Sequence, residues 1–437
     1  MKRLIRNILT AITAILLFAP CLSGAERRDS VIVSLITCWP GSEVYELCGH
    51  EAIRVRGENI DSIWNYGTFD FNRPGFVYRF VKGETDYMLA GYPFSLFIPE
   101  YIANQRHVVE QDLNLTQDEA HRLLGLLRHE ALPQNCTYRY NYVRDNCATR
   151  IIERIDQAAD TTVVYPDTVR YGTFRRAMRA HHKDYPWYQF GIDIALGSGL
   201  DMPVKGRQEM FAPLEMMRKA GSAHFADGRP LVRETRVLNE GVPDATAGPT
   251  PWYLTPLFWG CLAFALAIPL CLWQWKKNRI VRIVYTAWFG ILGLAGCVVT
   301  FLVFISTHEA TSPNILILWL NPLQLLLAAG VWWRSWRPVN IAVAIVDVIV
   351  LVVLLVVWPF QAQSANVAFF PMMGTTFMLA ATYAIIASKT SYRISGKRHS
   401  AKDNEKVSNL GAGRTGGGQR RAGRSGGATT TRGGHRR

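Results

Sequence analysis

Apolar and polar positions follow three different rhythms along this chain. At the start, Ile8 to Phe18 is one apolar run behind Lys2, Arg3 and Arg6, and Ser23-Gly24-Ala25 follows it. That order marks residues 1–25 as an export signal, with cleavage expected after Ala25. Pro20 stands before Cys21 where a lipid-modified cysteine wants a small residue, which argues against lipid attachment there.

From residue 26 to about 250 no apolar run is long enough to span a bilayer, and the periods are those of a folded soluble domain. Val31 to Thr37 ("VIVSLIT") is apolar and β-branched, as a buried strand is. "GHEAIRVRG" sets Ala52, Ile53 and Val55 among Arg54 and Arg56, and "DSIWNYGTFDF" follows, so the two predict a hairpin. "LTQDEAHRLLGLLRHEAL" predicts a helix: Thr116 and Glu119 make a capping box, and Leu123, Leu124, Leu127 and Ala131 share one face. A second helix opens in "YNYVRDNCATRIIERID", with Asp145 or Asn146 as its N-cap and Ile151, Ile152 and Ile155 as its buried face.

At Trp252 the pattern changes again. Residues 251–388 hold five apolar segments, roughly 252–274, 283–305, 314–333, 338–359 and 367–388, each near the twenty residues a spanning helix requires. Lys276, Lys277, Arg279, Arg282, Arg334 and Arg337 lie in alternate loops, whereas "STHEATSPN" and "QAQSANVAFF" contain no Lys or Arg. By the positive-inside rule the soluble domain lies outside the cytoplasm, in the periplasm of an inner-membrane protein, and the C-terminal tail lies inside.

Charge alters the picture less than its total implies. Of the net +14, thirteen Lys/Arg less Asp403 and Glu405 leave +11 in residues 389–437, a Gly-, Ser- and Arg-rich tail that cannot bury a core. Such a tail on the cytoplasmic face binds anionic headgroups, and a specific nucleic-acid partner is not expected. No metal or cofactor motif stands out.

Candidate chemistry centres on Cys147. A thiol at a helix start faces unpaired N–H groups and the positive end of the helix dipole, which favour thiolate. A thiolate nucleophile needs an imidazole partner, and His50 heads the strand after "CGH". The alternative is structural. Cys38, Cys48, Cys136 and Cys147 form two close pairs, so Cys136 and Cys147 would suit a disulfide equally well on arithmetic alone.

A histidine at the head of an early strand, followed far downstream by Asn-Cys opening a helix, resembles the circularly permuted papain-like fold of the lecithin retinol acyltransferase and NlpC/P60-related group. More closely, "TCWPGSEVYELCGHEAIRV", "WNYGTFDF", "GETDYMLAGYPF", "YNYVRDNCATRI", "YPWYQFGIDIALGSGLDMP" and "STHEATSPNILILWLNP" resemble the Lnb family of Bacteroidota, whose members join a periplasmic domain to a transmembrane domain and act as lipoprotein N-acyltransferases. The likeness runs over roughly residues 30 to 388. It implies an α+β fold, with a permuted NlpC/P60-like periplasmic domain (26–250) before a five-span helical membrane domain (251–388). It also implies Cys147 as nucleophile and His50 as base.

Asn65 on the partner strand is the candidate to orient the imidazole, and Cys38 and Cys48 are expected in a disulfide or as small buried hydrophobes. Cys147 would take an acyl chain from a phospholipid donor and pass it to the α-amine of a lipoprotein precursor without a cofactor, with Asn146 and His308 as substrate-positioning candidates. "GYPFSLFIPEYI" would pack in the core or, alternatively, form a lip toward the membrane; Glu309 lies at the membrane boundary and Asp347 is expected to face the bundle. The competing class is a periplasmic cysteine hydrolase, either a cell-wall amidase or peptidase or a phospholipid deacylase, since the same thiol and imidazole serve all of these.

Overall fold

The computed structural model describes residues 30–70, 72–242 and 248–389; the expected export signal, the lipid-attachment question at Cys21 and the tail from Thr390 lie outside these residues. β1 (Val31–Cys38), β2 (His50–Gly57), β3 (Asp61–Thr68), β4 (Asp86–Pro93), β5 (Val108–Leu113) and β6 (Thr137–Arg139) make an antiparallel sheet that a last strand completes. β7 (Val163–Val164) and β8 (His224–Phe225) pair apart from it, and β9 (Val232–Asn239) closes its edge in the order β6-β4-β3-β2-β1-β5-β9. The expected hairpin is present, with Arg56 opposite Asp61 and Ile53 opposite Trp64.

Alternation along the strands sorts the core into two halves. Val33, Leu35, Ile53, Val55, Trp64 and Tyr66 point to one face, where helices Gln117–Glu130 and Cys147–Ala158 cover them with Leu123, Leu127, Ile151 and Ile155. Ile36, Cys38, Ala52 and Ile63 point to the other, under Phe94, Phe97 and Tyr101 of helix Phe94–Ala103. "GYPFSLFIPEYI" is therefore chiefly core, although Leu96 and Ile102 remain exposed.

The expected capping box forms: Glu119 N–H donates to Thr116 Oγ1 at 3.2 Å, and Thr116 N–H donates to Glu119 Oε2 at 2.7 Å. In the second helix Asn146 is the N-cap, while Asp145 pairs with Arg150 at 2.6 Å.

Four helices in the C-terminal domain are long and apolar enough to cross a membrane: Pro256–Lys277, Arg282–Phe304, Arg334–Phe360 and Phe369–Lys389. The third expected span, 314–333, is not one helix. It is a 3-10 turn, Ile315–Leu318, and a short helix, Gln324–Gly330, with Asn321 and Pro322 between them. Proline lacks the N–H that would continue a helix through this point.

The broken segment still traverses the bundle. At its start, Asn314 Nδ2 donates to Ile194 O of the N-terminal domain, 2.8 Å away. At its end, Trp332 Nε1 donates to Thr286 Oγ1 at 2.8 Å, beside Arg282 where the second span begins on the opposite side. The chain thus passes through the bundle five times, and Lys276, Lys277, Arg279, Arg282, Arg334 and Arg337 all end on the face remote from the N-terminal domain. Asp347 is buried in the bundle, as expected, with Asn321 Nδ2 and Gln324 Nε2 each 3.4 Å from its Oδ1.

Two loops of this bundle clasp the N-terminal domain. Thr307 N–H donates to Lys82 O at 2.8 Å and Gly197 N–H to Ala310 O at 2.8 Å. Asn366 Nδ2 donates to Asp193 Oδ2 at 2.9 Å, and Asp193 also pairs with Arg175 at 2.9 Å, both side chains being no more than 1% exposed. A buried ion pair that loses one partner leaves an uncompensated charge, so this joint resists opening. At Gly197 an added Cβ would lie 2.2 Å from Pro313 O, so only glycine lets the domains approach this closely.

Candidate active site

His50 stands at the head of β2, immediately after Gly49, whose φ of 78° is left-handed and whose Cβ, if present, would meet Cys38 O at 2.5 Å. The glycine turns the chain so that the strand begins with the imidazole. His50 Nε2 lies 2.8 Å from Asn65 Oδ1, and Asn65 Nδ2 donates to Tyr92 Oη at 2.7 Å. Because the amide nitrogen is used on the tyrosine, the amide oxygen must accept from Nε2–H. This fixes the tautomer that leaves Nδ1 as the basic nitrogen. Burial and the nearby Arg106 charge lower the His50 pKa against the opposing bond from Asn65.

Cys147 is the first residue of its helix and is 8% exposed. The nearby backbone N–H groups of Glu51, Ala148 and Cys147 itself favour the thiolate and lower the thiol pKa. These act in the direction expected of a helix start, but burial outweighs them and pushes the thiol up to about 12. Helix position alone predicts a lowered value; desolvation by the core, which no local pattern reveals, reverses it. In the free protein the thiol is neutral.

The structure therefore brings His50 and Asn65 into direct contact, and Cys147 to the backbone of the residue next to His50. No hydrogen bond joins the thiol and the imidazole among the described residues. Glu51 and Ile53 point to the face of the Cys147 helix, while His50 shares the other face with Asn65, so the thiol and the imidazole flank the start of β2 from its two sides without touching. Asn146 is fully engaged: Oδ1 accepts from Ala148 N–H and Thr149 N–H at 3.0 Å each, and Nδ2 donates to Tyr142 O and Phe211 O at 2.8 and 2.9 Å. It aims the helix rather than offering a free polar atom to substrate.

Two features of the site do not show in the sequence. Glu51 is completely buried, its carboxyl held well above the usual carboxylate range by desolvation. A second thiol group lies in the same domain. Cys48 Sγ is 3.1 Å from Tyr142 Oη and 3.8 Å from His182 Nε2, while His182 Nδ1 lies 2.9 Å from Gln189 Oε1. Burial drives this pair toward neutrality, pushing the Cys48 thiol up to about 11 and the His182 imidazole down to about 4. The adjacent histidines in "HHKDYPW" are the one sequence cue to it. The seven cysteines among the described residues are free, so neither the Cys136–Cys147 nor the Cys38–Cys48 disulfide forms.

His308 sits apart, in the loop after the second span, where its Nε2 lies 2.8 Å from Phe80 O. Among the described residues no group of His, Cys, Asp and Glu side chains is arranged to hold a metal ion.

Residues 25–179 match the family model described as the Lnb N-terminal periplasmic domain, and residues 249–391 match the Lnb transmembrane domain. Neither a curated protein nor a solved structure matches the chain.

Proposed function

Because the chain belongs to the Lnb family through both of its domains, we propose that it is a lipoprotein N-acyltransferase of the inner membrane, with Cys147 as nucleophile, His50 as base and Asn65 as the group that orients His50. The observation that supports this reading is the placement of the Cys147 helix start against the backbone of Glu51, the residue next to His50 of the His50–Asn65 pair, in a domain clasped to a membrane bundle. A thiol hydrolase acting on soluble peptides has no need of five membrane crossings. An enzyme whose substrates are both lipids does.

In the first half-reaction Cys147 Sγ attacks an ester carbonyl of a phospholipid while its proton passes to His50 Nδ1. Bound substrate would have to draw thiol and imidazole together, since catalytic hydrogen bonds commonly tighten only in the complex. Asn146 Oδ1 already accepts from the Ala148 and Thr149 amides, so of the N–H groups near Sγ those of Glu51 and Cys147 would hold the oxyanion. His50 protonates the departing glycerol oxygen, and a thioester on Cys147 remains. In the second half, the α-amine of a diacylglyceryl-cysteine attacks the thioester and loses a proton to His50. An amide forms, and the C–S bond breaks.

The basic loops on the remote face of the bundle support a cytoplasmic position for that face and for the C-terminus. The test is transfer by the purified chain in detergent. Phospholipid plus a diacylglyceryl-cysteine peptide should yield triacylated peptide and lyso-phospholipid in equal amounts. Free fatty acid at a rate indifferent to the peptide would assign a deacylase instead.

A further inference from the structure

A cavity of about 330 Å3 opens where the two domains meet, beside the turn that leads into the Cys147 helix. The N-terminal domain contributes Arg139, Arg144 and Asp145, and the loop after the second span contributes Thr307, His308 and Glu309. Neither guanidinium is committed. Arg139 donates to Gly83 O at 3.3 Å and lies 3.7 Å from Asp86, with its side chain 53% exposed. Arg144 meets Glu309 at 3.2 Å across the domain boundary, with side chains 64% and 66% exposed. Pairs this open to water are weakly held and exchange readily for a better partner. Asp145, in contrast, spends both carboxylate oxygens on Arg150, at 2.6 and 2.8 Å, which neutralises the nearest negative charge on that wall.

Two guanidinium groups converging on one cavity fit a phosphodiester, whose paired oxygens accept from their planar forks. The carboxylate of Glu309, facing Arg144, fits a cationic group one short span away. Position agrees with chemistry. Thr307 to Glu309 follow the outer end of the apolar helix Arg282–Phe304, the depth at which lipid headgroups lie, and Asp145 is two residues from Cys147. His308 contributes by holding its loop to Phe80 O, forming a wall rather than a ligand.

We propose that this cavity holds the headgroup of the donor glycerophospholipid, with the phosphodiester on Arg139 and Arg144 and, for an ethanolamine lipid, the ammonium on Glu309. The proposal rests on the acyltransferase reading and assigns its donor a place, leaving the acceptor, which has no phosphate, to bind elsewhere.

The experiment pairs transfer kinetics with binding, using the full chain in detergent. Arg139→Gln and Arg144→Gln should each raise KM for phospholipid tenfold or more, with kcat at saturating donor and KM for the diacylglyceryl-cysteine peptide within twofold of the parent. Glu309→Gln should raise KM for phosphatidylethanolamine but not for phosphatidylglycerol. In calorimetry, dihexanoyl-phosphatidylethanolamine should bind the parent chain and lose that binding in the Arg139→Gln/Arg144→Gln double variant. Phosphoethanolamine or inorganic phosphate binding as tightly as the lipid would instead define a general anion site and overturn the headgroup assignment. So would an unchanged donor KM in variants that still transfer. If the parent chain transfers nothing, the acyltransferase reading fails, and the calorimetry alone decides the cavity.

Discussion

The hydroxyl of Thr37 on β1 lies 2.9 and 3.2 Å from the two carboxylate oxygens of Glu51 on β2, directly across the ladder. Among the described residues Thr37 is the one side-chain partner of a carboxyl that has no exposure to water. The folded chain therefore holds Glu51 protonated at pH values where the unfolded chain ionises it. The stability of the protonated form is complete below the unfolded value of about 4.5 and is lost as pH rises through the higher folded value. Glu51→Gln, which keeps an acceptor for Thr37, should raise the melting temperature at pH 7.5 by roughly 2–4 °C for each kcal/mol relieved. At pH 4 the parent and variant should melt together. A variant that melts lower than the parent at pH 7.5 would mean that Glu51 is charged and paired.

The lowered pKa of His50 carries a kinetic consequence of opposite sign. A base must be neutral, and His50 stays neutral below the usual 6.5. The acid limb of kcat/KM should therefore lie below pH 6.5. Asn65→Asp places a carboxylate beside Nε2–H and should move that limb upward, while Asn65→Ala should cost on the order of tenfold or more in kcat as the tautomer is freed. A profile identical in all three proteins would remove Asn65 from the mechanism.

On the acyltransferase reading two thiols, Cys147 and Cys48, would be the candidates to take the acyl chain, and mass spectrometry can separate them. With phospholipid alone, a hydroxylamine-sensitive acyl adduct should appear on the peptide containing Cys147 and not on the one containing Cys48. Cys147→Ser should abolish transfer while the protein remains folded and in the membrane. Cys48→Ala should retain activity within a few-fold, with some loss of stability from the missing contact to Tyr142. An adduct on Cys48 would exchange the roles of the two sites.

Topology can be read directly. A reporter fused after Asn278 should report cytoplasm, and one placed at 308–312 should report periplasm, because the clasped loop lies on the side of the N-terminal domain. The inverse pattern would detach the domain from the lipid-facing role argued for it.

What the sequence reveals of this protein follows the reach of each signal. β1 to β3 and the helix Gln117–Glu130 are legible because strand alternation and the Thr116–Glu119 box are local, and the chain forms them with little help. Asn65 is legible for the same reason, since the hairpin register places it beside β2. Glu51 and His182 are not: each becomes chemically distinct only through burial by segments far away in sequence. The same holds for the thiol of Cys147, where the helix start argues one way and the surrounding core the other. In the membrane, hydropathy finds the third crossing but is blind to the break at Asn321-Pro322, because an average over twenty residues does not register one missing N–H.

The clasp between Gly197, Asp193 and the two outer loops sets a height. A catalytic domain on a flexible tether would sample many elevations above the bilayer and accept any reachable amine. This one is moored at several points, with Asp193 holding Asn366 on one loop and Gly197 pressed against Ala310 and Pro313 on the other. On the acyltransferase reading, Cys147 would work at a fixed altitude over the lipid surface, and the protein would measure its acceptor as a gauge measures depth. An amine carried at the level of the glycerol backbone would be in register. The same amine on a long soluble peptide, however reactive, would drift past it.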